Sequence, residues 1–221
     1  MQSTLKRKDM SEKDKVLRQI SEIQHHLVDK ETFFPYNFNA CHVWSLIAIV
    51  LTLVMIPSYE YSIMFGTGVN VLMMMTGFII EGIMTKKVNE SYDIAECTRR
   101  QQYIVKTFII ISLLLITFSA MLAFYQFYVP ILLLWLSLIS LGYLSISFVV
   151  NLKVYEYLAY ANILVALIAM GIAINFNFVQ DRGVFLLLVQ TILVLGLAVV
   201  PSWLAFKQNK FINHSTEACG V

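Results

Sequence analysis

Six long apolar runs, separated by short polar links, take up most of this chain. They fall at about residues 42–57, 61–84, 104–129, 131–150, 155–176 and 184–206. A hydrocarbon core about 30 Å thick needs about 20 residues of helix to cross it. Five of the six runs reach that length; the first does so only if it starts near Asn37 and takes in Phe38 and Ala40. The pattern predicts an all-α fold, a polytopic six-helix transmembrane bundle. The links at 58–60, about Pro130 and 177–183 are too short to hold a folded domain, so function is expected inside the bundle or on its other face.

Ahead of the first run, residues 11–30 read as one amphipathic helix. Ser11 with Asp14 resembles an N-cap with an acidic third position, which satisfies orphan N–H groups. Val16, Ile20, Ile23 and Leu27 recur at steps of four, three and four, which puts them on one narrow stripe. Such a stripe fits a second copy of the chain, a partner protein, the membrane interface, or this protein's own cytoplasmic loop. Phe33, Phe34, Pro35, Tyr36 and Phe38 follow as an elbow where the chain enters the membrane, since aromatic rings favour the headgroup layer. The organisation expected is therefore a helix and elbow at 1–36, a six-span domain at 37–206 and a short cytoplasmic tail at 207–221.

Charge orients the bundle. Of sixteen Lys and Arg residues, fifteen lie on the side of the first span's N-terminal end, and only Arg182 lies on the other. Short cytoplasmic loops carry such an excess, so both ends are expected in the cytoplasm of a multi-pass cell-membrane protein. The lipid bilayer is the first partner expected, through the basic face and anionic headgroups. Nucleic acid is not expected, because acidic residues interleave with the basic ones. The chain is 58% hydrophobic with a mean hydropathy of +0.71, against roughly 45–50% apolar in soluble domains. Its three cysteines, Cys41, Cys97 and Cys219, fall at or near the cytoplasmic side, where thiols stay reduced. A cleaved signal peptide is not expected, because residues 1–32 are too polar to supply its apolar core.

Candidate chemistry is sparse. His25 with His26 and Cys41 with His42 are adjacent pairs, about 100° apart on a helix, and no CxxC or HxxxH spacing occurs. Met73, Met74 and Met75 spread around a helix and cannot meet on one ion unaided. No metal or cofactor is expected. The loop at 85–103 lacks Gly and Pro, which predicts helical extensions of the second and third spans with a bend near 89–93. Glu90, Asp93, Glu96, Arg99 and Arg100 give that loop either a docking surface or local ion pairs.

Polar groups at membrane depth need internal partners and mark the bundle interior. Asn70, Ser140, Asn162 and Gln190 are such groups, and they line either a ligand pocket or plain helix contacts. In the second span Gly66 precedes Asn70, and Gly77 precedes Glu81, by one turn each. Glu81 and Glu156 sit near span ends, and no charge falls at a midplane. Proton pumps and cation transporters usually carry one there. The halves show no internal repeat and no Gly–Pro break of the kind that marks many transporters. With no clustered His, Asp or Ser/Lys set at depth, an enzyme is not expected. Two functions remain. One is a regulatory, sensory or complex-forming subunit acting through its cytoplasmic face; the other is a transporter or channel for a small solute or lipid-like molecule, with amides lining its pocket.

Overall fold

The computed structural model describes residues 37–91 and 98–208. The stretch at 11–30 with its Val16, Ile20, Ile23 and Leu27 stripe, most of the aromatic elbow, Cys97, Cys219 and residues past 208 lie outside the described residues. The described residues form six helices and no strand. They are α1 (Phe38–Tyr61), α2 (Ile63–Ser91), α3 (Arg99–Phe124), α4 (Tyr128–Val150), α5 (Lys153–Asn175) and α6 (Val184–Gln208). All six are long and apolar enough to cross a membrane. Large apolar side chains point outward from every one, among them Leu46, Leu72, Leu113, Leu141, Leu164 and Leu187. Soluble monomers rarely expose apolar surface on that scale, and the fold is that of a multi-pass membrane protein.

Several helix ends depart from the sequence expectation, three of them for a local reason. α1 runs through Pro57 to Tyr61; proline in a last turn costs only the bond its own N–H would have made to Leu53. The third run stops at Phe124, because Gln126 adopts a left-handed conformation at φ 59°. Pro130, expected in the turn, instead sits in the first turn of α4, where its fixed φ suits a helix start. α6 continues to Gln208, two residues into the stretch read as tail. In the loop at 85–103, α2 remains helical through Ser91, past the expected start of the bend. α3 opens with a capping box, in which Thr98 Oγ1 accepts from Gln101 N and Gln101 Oε1 accepts from Thr98 N.

Helices α1, α2, α3, α4 and α6 close a ring, and α5 packs on the outer side of α4. α4 is the hub, with Val129, Ile131, Leu132, Leu133 and Leu136 almost wholly buried. Both described termini and the α2–α3 and α4–α5 links share one end of the bundle. Lys86, Lys87, Arg99, Arg100, Lys153 and Lys207 gather there, and we call it the basic end. At the opposite end Arg182 joins three connections. It pairs with Glu60 at 3.2 Å, donates to Gln126 Oε1 at 3.1 Å and lies over the Tyr128 ring at 5.3 Å. Next to it Asp181 accepts from the Gly183, Phe185 and Leu186 amides, which satisfies the orphan N–H groups at the start of α6.

Candidate functional site

The α1–α2 contact uses one device twice. On α2, Gly66 leaves room for the Tyr59 ring, and one turn later Asn70 Nδ2 donates to Tyr59 Oη at 2.8 Å. Further along α2, Gly77 leaves room for the Trp44 indole, and one turn later Glu81 Oε2 accepts from Trp44 Nε1 at 2.8 Å. A Cβ on Gly66 would stand 2.4 Å from Tyr59 Cδ1, and one on Gly77 2.6 Å from Trp44 Cη2. The glycine admits the ring and the polar residue binds its polar tip, because a buried Tyr or Trp needs a partner for its O–H or N–H.

The α6 seam is built differently. Residues Leu195–Val199 form a π-helical turn just before Pro201. Proline has no N–H to give the carbonyl four residues back, and its ring crowds that carbonyl. That carbonyl is Leu197 O, which accepts from Tyr143 Oη of α4 at 3.3 Å instead. Its neighbour, Gly196 O, accepts from Asn162 Nδ2 of α5 at 3.2 Å. Two neighbouring helices thus bond backbone groups within the wide turn.

Between these seams lies a cavity of about 120 Å³ lined by α1, α2, α3, α4 and α6. Its wall runs on α1 from Asn37 to Met55, a rise of about 27 Å at 1.5 Å per residue. The two ends differ in chemistry. Towards the basic end the wall carries Asn37, Cys41, Glu81, Thr85 and Gln101; the deep end is Leu51, Met55, Met74, Trp135 and Leu193. Trp135 Nε1 donates to Ser119 Oγ at 2.8 Å, and Leu115, Tyr128, Leu132 and Val189 are buried around that bond. At the mouth, Asn89 and Gln101 exchange a reciprocal pair of amide hydrogen bonds of 3.0 and 2.7 Å, which ties the ends of α2 and α3.

Among the described residues Glu81 is the one carboxylate on the wall, and no Lys, Arg or His lines it. Trp44 Nε1 is its hydrogen-bond partner, and among the described residues no basic group lies within ion-pair distance of it. Cys41 Sγ, also on the wall, is 3.6 Å from Tyr155 Oη. Asn37 Nδ2 is buried with no hydrogen-bond partner among the described residues.

The four polar groups singled out in the sequence do not meet here. Asn70 is spent on Tyr59 and Asn162 on Gly196, while Gln190 Nε2 donates to Thr52 O across the α6–α1 contact at 3.2 Å. Ser140 Oγ is buried with no partner among the described residues. None of the four lines the cavity; the amides join helices in pairs. The three methionines diverge: Met74 is on the cavity wall and takes a 3.8 Å bond from Ser112 Oγ, while Met75 faces outward. Cys41 and His42 diverge too, with His42 Nδ1 2.5 Å from Ser202 Oγ. Among the described residues no three His, Cys, Asp or Glu side chains gather as metal ligands.

Sequence reasoning set Glu81 aside because it lies near a span end. Its spacing, one turn after Gly77, is plain in the sequence; that Trp44 of α1 stands opposite it is not. Compared with protein-family models, with curated proteins and with solved structures, the chain finds no match.

Proposed function

We propose that this protein is a non-enzymatic, multi-pass membrane protein that holds a small, largely apolar molecule within its bundle and exchanges it at the basic end. This is the small-solute or lipid-like transporter reading, with its site moved from the amides to the cavity. The observation that carries it is the cavity itself. Native interiors are packed close to crystal density, and an apolar cavity of roughly 150 Å³ in another protein stays dry and takes up benzene. The basic end faces the cytoplasm in this reading, on the strength of the charge asymmetry.

The regulatory or complex-forming reading draws on a different feature, the concentration of basic side chains at one end. It requires a cytoplasmic protein or a second copy of the chain to dock there, with the stripe at residues 16–27 as its contact.

The test is occupancy of the cavity. Protein in lipid nanodiscs is melted with and without n-octanol, alongside Ser112→Phe, which places a ring in the cavity next to Met74. Octanol should raise the melting temperature of the wild type and leave that of Ser112→Phe unchanged. Equal responses from the two proteins would remove the cavity from the function.

A further inference from the structure

Among the described residues the only charged side chain on the cavity wall is a carboxylate, and no cation lies within ion-pair distance of it. Charge inside a membrane bundle is costly and is ordinarily matched by a partner. Glu81 has a single neutral donor, Trp44 Nε1, on one of its two oxygens. The salt bridges of the described residues lie elsewhere, Lys86 with Glu90 on the outer surface of α2 and Arg182 with Glu60 at the far end. The wall near the carboxylate is aromatic, with Trp44, Phe108 and Tyr143, and ring faces attract ammonium groups. From the level of Trp44 the wall continues down α1 to Met55, a further rise of about 16 Å, with lining that is apolar apart from Thr52 and Ser112, whose hydroxyls donate to Ala48 O and Met74 Sδ. A site with a carboxylate near its mouth and a narrow apolar shaft below it suits a molecule with a cationic head and an unbranched apolar tail.

We propose that the cavity binds an amphipathic organic cation, an alkylamine in its simplest form, with the ammonium on Glu81 and the alkyl chain directed towards Met55 and Met74. This deepens the cavity-binding reading above and rests on it. Trp44 is the positioning residue. Its N–H holds one carboxylate oxygen, which leaves the other for the ligand, and the room over Gly77 fixes the indole in place. Lys86 and Lys87, one to two turns further along α2, are exposed and do not line the cavity, so they leave the carboxylate to the ligand.

Three probes of equal tail length separate head from tail: n-octylamine, n-octanol and octanoate. Binding to the full chain in nanodiscs is measured at neutral pH as a ligand-dependent shift of melting temperature, with Ser112→Phe as the filled-cavity control. The wild type should bind octylamine at least about tenfold more tightly than octanol, and octanoate most weakly, as expected for truncating one partner of a buried charge pair. Glu81→Gln keeps an oxygen for Trp44 Nε1, so it should melt close to the wild type without ligand. It should lose the preference for octylamine while keeping octanol binding. Trp44→Phe leaves the carboxylate in place but takes away the donor that positions it, so the preference for octylamine over octanol should narrow while octanol binding is kept. If Glu81→Gln retains the tenfold preference, or the wild type prefers octanol or octanoate, the amine assignment is overturned and the cavity reading stands. If none of the probes distinguishes the wild type from Ser112→Phe, both fall.

Discussion

In the Tyr59–Asn70 arrangement, where Asn70 Oδ1 is buried with no partner among the described residues, the glycine does more than the amide. Hydrogen bonds between membrane helices average only about 0.6 kcal/mol and reach about 1.7 at most. Asn70→Leu is therefore predicted to lower the melting temperature slightly and to leave octanol binding unchanged, because Asn70 is not on the cavity wall. Gly66→Ala should cost more, about 1–3 kcal/mol, the range for overfilling a packed interior. Its Cβ would meet not only the Tyr59 ring but Tyr59 Cα at 2.9 Å, and backbone cannot step aside as a side chain can. Chemical or thermal unfolding of the two variants in the same detergent checks the order, and the reverse ranking would contradict it. At this scale the sequence was legible in part. Gly66–Asn70 and Gly77–Glu81 stood out by spacing, but the rings that fill them come from α1 at positions set by how α1 and α2 slide past each other. No pattern within either helix fixes that register.

Helix ends and the shape of α6 belong to the next scale. Gln126, Asn151 and Asn177 all adopt left-handed conformations just past the ends of α3, α4 and α5. At each, the following amide reaches back five residues: Phe127 to Leu122 O, Leu152 to Ser147 O and Phe178 to Ala173 O. This is the Schellman arrangement, usually built with glycine. With glutamine or asparagine there, the turn at 125–127 carried no glycine to announce it, and the neighbouring Pro130 drew the predicted boundary too far along. The α6 turn was equally silent, because Pro201 was visible but the carbonyl it strands was not. Its consequence is measurable as coupling. Tyr143→Phe removes the donor to Leu197 O and should destabilise the wild type by about 0.5–1.5 kcal/mol. In a Pro201→Ala background the backbone N–H can serve that carbonyl, so the same change should cost distinctly less. Additive losses in the double-mutant cycle would show that the tyrosine does not stand in for the missing amide.

Over the whole molecule, the count and placement of the six helices followed from hydropathy alone, because lipid demands that every spanning backbone be helical or closed into a barrel. The orientation proposed from the charge asymmetry is open to a direct check. Reporter fusions after Lys153 and Lys207 should read cytoplasm, and one next to Arg182 should read the other side; an external signal after Lys153 would invert the assignment. The cavity was not legible at all. It is the space left when five helices of unequal side-chain bulk close a ring, and only the closed ring defines it. The sequence drew the eye to amides at mid-depth, and these turn out to be spent on Tyr59, Thr52 O and Gly196 O.

Arg182 gives the molecule a direction. It fastens the α1–α2, α3–α4 and α5–α6 connections on the side away from the cavity mouth. Removing it with Arg182→Ala should speed amide hydrogen exchange at 125–128 and 177–184 and leave exchange around Asn89 and Gln101 as it was. Uniform protection across both ends would mean that the arginine fastens nothing. In the cavity-binding reading proposed above, an intact fastening at this end makes the bundle a blind alley: a guest would leave by the door it came in, and its residence would report on one compartment alone. Through-traffic would need the far wall to part, and the Glu60–Arg182 pair is the bolt on it.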